Sequence, residues 1–261
     1  MMPPYIFFTY DVDTYVMDLD NSDPADFTIK GSISAQGLFK AFSMGDQELG
    51  REDLGDDPNK AFECNVAIKG KTTAFDVPFV LTDQMGNVVT KSFHFLTSAP
   101  IEACQVTMGA QYNPYQGFFF SFKDQKVYSV TEMMKMTDPE GLCFGYNINK
   151  KQPMFVSPTE LINQTVLADY KGNNISSFCE IVAFNNIPFT KDVFDNLKND
   201  AFMRNLNPIE YGTYTSVSIA EGKSYLFKNE DDSLRGIVYV QSLESGVGGQ
   251  VQLTIKMQKV N

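Results

Sequence analysis

The residues best suited to contacting a ligand lie together in one short loop of the second half of the chain. The loop reads Gln111-Tyr112-Asn113-Pro114-Tyr115-Gln116 and combines two aromatic rings, amide side chains and a proline. Tyrosine rings can stack on sugars while amides hydrogen-bond to the hydroxyl groups. We therefore predict a ligand-binding surface formed by Gln111, Tyr112, Asn113, Tyr115 and Gln116 and suited to a glycan. The alternative is that the two rings pack the junction between domains.

Acidic side chains supply a second kind of candidate chemistry. A glycoside hydrolase needs two carboxyl groups that flank the scissile bond. The acids that could act in this way are Glu132, Glu160, Glu180 and Glu210. Nothing in their spacing brings two of them together, so we predict no catalytic residue and keep hydrolysis as an alternative.

The types and spacing of the residues disfavour metal chemistry. The chain has one histidine, His94, and four cysteines that form no CxxC pair. We therefore expect neither a zinc site nor a cofactor. A series of aspartates near the N terminus lacks the glycine and closing glutamate of an EF-hand loop, which indicates a solvated acidic edge instead of a calcium site. These aspartates are Asp11, Asp13, Asp18, Asp20 and Asp23.

Composition narrows the class of protein. A chain of 261 residues, 43% hydrophobic and 20% charged, is typical of a folded protein and long enough for two domains. Its 22 Phe and 12 Tyr, without Trp, favour strands. The net charge of -11 argues against nucleic acid and against an anionic membrane surface as partners. The N terminus lacks a secretion signal, so the protein is either cytoplasmic or exported with its signal segment not present in this chain.

The first hundred residues follow the two-residue period of short strands. Alternation over residues 27–34, 38–44 and 62–69, followed by a hairpin at 75–82 and 88–96, predicts an N-terminal immunoglobulin-like β-sandwich at residues 1–99. The Cys-Trp-Cys core of antibody domains is absent. Pro100 marks the boundary because proline does not continue a strand ladder.

Residues 100–261 mix strands with short helices. We predict strands at 142–148, 154–156, 214–219, 224–227, 234–243 and 250–259, and helices at 131–135, 159–168 and 191–205. The predicted fold is thus mainly β: the sandwich is followed by an α+β domain with an antiparallel sheet and two or three short helices. Residues 244–249 are rich in glycine but lack the Lys-Ser/Thr of a phosphate-binding loop, which indicates a flexible hairpin loop.

A series of short motifs in the second half resembles a module of surface lipoproteins of Bacteroidetes-type bacteria. The motifs are Gly109-x-Gln111, Gly117-Phe-Phe-x-Ser-Phe122, Lys126-Val-Tyr128, Tyr146, Ser157-Pro158, Gly222-Lys-Ser-Tyr225-Leu-Phe227 and Leu253-Thr-Ile-Lys-Met-Gln-Lys259. The hairpin at 75–96 is similar to the bacterial immunoglobulin-like domains placed before such modules. The resemblance implies an exported, non-enzymatic protein of the periplasm or outer cell surface, held to a membrane only through a lipid anchor that is absent from this chain.

Together these patterns predict a non-enzymatic binding or adhesion protein of the cell surface, with a glycan or another surface protein as its partner. Two alternatives stay open. One is a glycoside hydrolase with paired carboxylates, and the other is a purely structural subunit of a surface complex.

The four cysteines are expected to be free thiols. Cys64, Cys104, Cys143 and Cys179 lie far apart, among apolar and strand-like neighbours, as buried thiols do. Titration with a thiol reagent in denaturant, without reductant, should find four reactive groups per chain. A count of two or none would show that disulfides are present.

Overall fold

The computed structural model describes residues 3–20, 25–137, 139–161, 166, 179–184, 189–207 and 211–259. The chain divides by its internal contacts into two compact units, unit 1 (Met1–Ser98) and unit 2 (Ala99–Asn261). This division falls one residue before the predicted boundary. Strands dominate and the helices are few and short, so the predicted class, mainly β with α+β, is confirmed. No helix in the described ranges is long and apolar enough to cross a membrane.

Unit 1 is a sandwich of two sheets that share one core. Its described strands are β1 (Tyr5–Phe8), β2 (Thr14–Met17), β3 (Asp26–Ser34), β4 (Phe39–Met44), β5 (Gln47–Gly50), β6 (Asn59–Ala67), β7 (Phe75–Asp83) and β8 (Val88–Thr97), with a short helix α1 (Arg51–Leu54). The sheets have the orders β1-β3-β6 and β2-β8-β7-β4-β5. Strand β2 runs parallel to β8, and the predicted hairpin is the antiparallel pair β7 and β8.

Phenylalanine rings fill the core of unit 1. Phe8 lies edge-on to Phe79 and Phe93, with ring centroids 5.1 and 5.3 Å apart. Phe42 and Phe95 are completely buried. An aromatic pair of this geometry contributes about 1 kcal/mol beyond the burial of its surface. The rings thus supply the packing that a tryptophan and a disulfide supply in antibody domains.

Unit 2 has two five-stranded antiparallel sheets where the sequence indicated one. Its described strands are β9 (Ile101–Gly109), β10 (Phe119–Ser121), β11 (Lys126–Tyr128), β12 (Gly141–Asn147), β13 (Gln152–Val156), β14 (Cys179–Ala183), β15 (Ser216–Ser218), β16 (Ser224–Asn229), β17 (Arg235–Glu244) and β18 (Gln250–Gln258). We name the sheets by their central strands. The β12 sheet has the order β11-β10-β12-β13-β15, and the β17 sheet has the order β14-β16-β17-β18-β9.

The described helices of unit 2 are shorter than predicted. They are α2 (Val130–Met133), α3 (Lys191–Asn196) and α4 (Ala201–Asn205), with a 3-10 turn at Pro158–Glu160. The helix predicted at 191–205 is wrong as a single helix, because Leu197 leaves the helical conformation with ψ of 122°. Thr190 caps the start of α3 by accepting a hydrogen bond from the amide of Val193. Beyond the 3-10 turn, most of the helix predicted at 159–168 lies outside the described residues.

Both sheets of unit 2 are covered on both faces. Between the sheets lies the main core, where Phe122 stacks on Phe227 with centroids 4.6 Å apart. On the outer face of the β12 sheet, Met133 of α2 joins a second cluster. On the outer face of the β17 sheet, Phe194 of α3 and Met203 of α4 join a third. The helices therefore cover apolar sheet surface that water would otherwise contact.

Two cations of the β17 sheet hold the C-terminal ends of α3 and α4. Lys256 donates from Nζ to three carbonyl groups at distances of 2.8 to 3.0 Å. Arg235 donates from Nη1 to carbonyl groups at 2.7 and 2.8 Å, while Asp232 accepts from its Nε and Nη2. The carbonyls belong to Phe194, Asp195 and Leu197 for Lys256, and to Met203 and Leu206 for Arg235. Such short helices leave most of their carbonyls without an internal partner, and these cations satisfy them.

Replacing the cation under α3 should destabilise the protein. Lys256→Met keeps the aliphatic stem but removes three hydrogen bonds, and we expect the free energy of unfolding to fall by about 2 kcal/mol in chemical denaturation. The matched control is Lys259→Met, three residues on and just beyond the end of β18, where the side chain is 57% exposed and 4.0 Å from Glu102. An equal loss in the control would contradict the capping role.

Candidate functional site

The predicted binding loop connects β9 to β10 and lies against the turn between β17 and β18. We call residues 110–117 the tyrosine loop and residues 245–249 the glycine turn. The amide of Ala110 donates to the carbonyl of Gly249, and the amide of Tyr112 donates to that of Val247, both at 2.9 Å. At the base of the tyrosine loop, the amide of Gly109 donates to the carbonyl of Gly117 at 2.7 Å. The two segments thus support each other through their backbones.

Asn113 is the residue that joins the tyrosine loop to the glycine turn. Its Oδ1 accepts hydrogen bonds from the amides of Tyr115 and Gln116, both at 2.9 Å. Its Nδ2 donates to the carbonyls of Gly248 and Gly249 at 2.9 and 3.1 Å. Both ends of the side-chain amide therefore hold the loop. The carbonyls of Gly248 and Gly249 accept hydrogen bonds from Asn113, in a segment that the sequence predicted to be a flexible loop.

Gln111 has a positioning role of the same kind. The side chain is 8% exposed. Its Nε2 donates to the carbonyl of Tyr146 in β12, and its Oε1 accepts from the amide of Tyr146, both at 2.8 Å. The amide group thus pairs with the backbone as a neighbouring strand would, and its hydrogen-bonding atoms face the protein.

The other predicted site residues face outward. Tyr112 is 53% exposed and Tyr115 is 89% exposed, and Gln116 is also exposed. Val247 of the glycine turn, whose carbonyl accepts a hydrogen bond from the amide of Tyr112, is exposed as well. The predicted set therefore separates into two groups: Gln111 and Asn113 fix the loop, while the two rings and Gln116 are available to a ligand. Sequence reasoning missed Val247 because the hairpin brings it to the loop from a distant part of the chain.

Two glycines permit the close approach at the base of the tyrosine loop. A Cβ atom on Gly109 would lie 2.5 Å from the Cβ of Asn113 and 2.8 Å from the carbonyl oxygen of Gln116. A Cβ atom on Gly117 would lie 2.8 Å from the carbonyl oxygen of Tyr128. Real Cβ contacts are longer, so both positions require the absence of a side chain. The close approach of the backbone therefore explains why glycine occupies positions 109 and 117 of the two sequence motifs.

The carboxylates considered for hydrolysis serve local structure where they are described. Glu132 accepts from the amide and hydroxyl of Ser129 at 2.8 and 2.7 Å, and these hydrogen bonds lower the pKa of its carboxyl. A general acid needs a raised pKa at neutral pH. Glu180 pairs with Lys228 of the neighbouring strand at 2.9 Å. Glu160 ends the 3-10 turn, and Glu210 lies outside the described residues.

The metal and thiol candidates are also placed. His94 contacts Asp76 across β7 and β8, with Nδ1 2.8 Å from Oδ1. Within the described ranges, which exclude Asp23, no three His, Cys, Asp or Glu residues lie together in a way that could hold a metal ion. All four cysteines are unpaired, as predicted. Burial raises the pKa of the Cys179 thiol to about 12, which keeps it in the unreactive protonated form.

Comparison with known proteins gives little beyond this geometry. The chain matches no protein-family model, and the search of curated proteins found no match. Among solved structures, it is similar to the crystal structure of a DUF4466 family protein from Parabacteroides merdae ATCC 43184. That likeness covers 98% of each chain at 7% sequence identity, with a TM-score of 0.45. Similarity at this level does not indicate a ligand.

Filling the space at Gly109 should disturb the tyrosine loop. In Gly109→Ala, the new methyl group displaces Asn113 and Gln116, and we expect the free energy of unfolding to fall by about 1 to 3 kcal/mol. The control is Gly248→Ala in the glycine turn, where the nearest atom, the carbonyl oxygen of Tyr112, would be 3.9 Å away. The control should lose less than about 0.5 kcal/mol. Equal losses in chemical denaturation would contradict the close-approach argument.

Proposed function

We propose that the protein is a non-enzymatic binding module of the cell surface that contacts a glycan through Tyr112, Tyr115 and Gln116. The observation that carries this proposal is the pairing of two exposed rings with a loop whose backbone is already held in place. Tyr112 and Tyr115 are exposed on a loop whose backbone is hydrogen-bonded to Asn113 and to the glycine turn.

The fixed loop favours binding because little conformational freedom is lost when a ligand arrives. Each stacked ring contributes about 1 kcal/mol. Two rings with a few hydrogen bonds from Gln116 therefore give a weak single site, with a dissociation constant on the order of 1 mM. Weak sites are effective where many copies act together, as they do on a cell surface.

We also propose that unit 1 is an immunoglobulin-like domain that precedes this module. Its sheet orders, and the parallel pairing of the short β2 with β8, support the assignment. Export rests on the resemblance of the sequence motifs to surface lipoproteins. Of the four free thiols, Cys143 and Cys179 are completely buried and react only when the protein opens.

The alternative of a glycoside hydrolase has less support. The hydrogen bonds of Glu132 and the ion pair of Glu180 give both carboxylates a structural part. The alternative of a structural subunit differs from a binding module only in whether the exposed rings meet a ligand. The experiment below separates these two.

Removing both rings should abolish binding and leave the fold intact. We expect Tyr112→Ala combined with Tyr115→Ala to lose at least about tenfold in glycan-array signal, as two stacking contacts disappear. The free energy of unfolding should change by less than about 0.5 kcal/mol, since exposed side chains contribute little. The matched control is Tyr214→Ala, whose ring is also 53% exposed and lies outside the tyrosine loop.

Two results would contradict the proposal. A loss of stability, with no glycan bound by the unaltered protein, would show that the rings are packing residues and favour a structural subunit. An equal loss of glycan binding in the Tyr214 control would place the site elsewhere.

A further inference from the structure

A cleft opens in unit 1, remote in sequence from the tyrosine loop. Its volume is about 420 Å³, within the range of small ligand sites. It lies at the tip of the β4–β5 hairpin, between the last residues of β6 and the first residues of β7. The apolar part of its wall is formed by Met44, Cys64, Val66, Phe75 and Val77.

The strand on one side of this cleft has an unused edge. Strand β6 pairs with β3 along its whole length and is the last strand of its sheet. In the described part of unit 1, no other strand pairs with β6. Strand β5, at the edge of the opposite sheet, is only four residues long. The N–H and C=O groups on the outer side of β6 are therefore a template for another strand.

The sequence of this edge does not discourage pairing. Proteins protect exposed edges with charges, prolines or bulges. Residues 64–67 read Cys-Asn-Val-Ala, and their pairing with β3 is regular. The charges of β6, Lys60 and Glu63, lie before the cleft. The opposite wall is also open, because β4 pairs with β7 only as far as Met44 opposite Phe79, which leaves Phe75 to Val77 without a partner on that side.

The rim of the cleft has one more acidic than basic side chain. Asp46 and Asp76 both contribute to the lining; the Asp76 side chain is largely exposed, and its Oδ1 also contacts Nδ1 of His94 at 2.8 Å. Lys71 is the basic residue of the lining, and its ammonium group lies 5.4 Å from the centre of the Phe75 ring. Unit 1 as a whole is acidic, since residues 1–98 hold 15 of the 32 acidic side chains and 7 of the 21 basic ones. A basic partner is therefore attracted to this end of the sandwich.

We propose that this cleft binds an extended peptide segment of another protein, which adds a strand to β6 beside residues 64–67. Main-chain hydrogen bonds to β6 hold the segment. Its alternate apolar side chains pack on Met44 and Val66, and a basic side chain lies near Asp46 and Asp76. This site is independent of the glycan site proposed in unit 2.

Disulfide capture at Cys64 tests the proposal directly. The full-length protein carries Cys104→Ser, so that the partly exposed thiol outside the cleft is removed. The probe is the peptide acetyl-Val-Thr-Cys-Thr-Val-Lys-amide, equilibrated with the protein in 2-mercaptoethanol and quantified by intact mass. Its two valines share the face of the cysteine, which turns them toward the cleft wall. The comparison peptide has N-methyl groups on its two threonines, which remove donors that a strand needs. We expect capture of the parent peptide to exceed that of the methylated one by at least about tenfold, equivalent to one to two lost hydrogen bonds.

Charge recognition is tested in the same experiment. Exchanging the peptide lysine for glutamate should reduce capture several-fold. Asp46→Asn combined with Asp76→Asn should remove this preference, whereas Glu52→Gln, an acidic position of α1 outside the lining, should keep it. Cys64 is only 6% exposed, at the inner wall of the cleft. A methanethiosulfonate reagent therefore first establishes that its thiol is reached from the cleft in the folded protein.

Three outcomes would overturn the proposal. Equal capture of both peptides, or of a simple aliphatic thiol, would assign the cleft to a small apolar molecule. No capture above the competing thiol, with Cys64 reactive, would show that β6 does not accept a strand. A Cys64 that resists the small reagent would show that the cleft is closed in solution.

Discussion

The architecture of unit 2 depends on sheets that are apolar on both faces. Strand β12 shows this most clearly, because Leu142 and Phe144 face the core between the sheets while Cys143 faces the outer cluster. Each outer face must then be covered, and short helices provide the cover. Helices of four to six residues are not stable alone. Lys256 and Arg235, which reach from the sheet to the helix ends, satisfy carbonyl groups that the helices leave unpaired.

The same need for hydrogen-bond partners shapes the candidate site. Beyond the ends of β9 and β17, the tyrosine loop and the glycine turn supply each other's backbone hydrogen-bond partners, and Asn113 bonds to both. The backbone groups of the two segments hydrogen-bond to each other and to Asn113. The rings of Tyr112 and Tyr115 lie at the surface. The proposed weak, repeated surface contact would use this hydrogen-bonded support and its exposed aromatic groups.

Features set by neighbouring residues were predictable from the sequence. The β7–β8 hairpin follows from its alternation and turn, and the start of α3 follows from Thr190. Features set by distant partners were not. Strand β9 was missed because it is an edge strand whose pairing partner, β18, lies at the opposite end of unit 2 in sequence.

The candidate site was predictable to the same extent. The loop and its exposed rings followed from local composition. The roles of Gln111 and Asn113 did not, because an amide in a polar loop looks available until its partners are known. Those partners are Tyr146 and the glycine turn, both remote in sequence.

The central claim is that the tyrosine loop is fixed before any ligand arrives. Amide hydrogen exchange of the ligand-free protein tests it most directly, at the amides of Ala110 and Tyr112, which donate to the glycine turn. We predict that these amides exchange on the order of tenfold more slowly in the unaltered protein than in Asn113→Ala, because opening the loop must break the contacts that Asn113 provides. Exchange at the rate of an unstructured peptide in the unaltered protein would contradict the account.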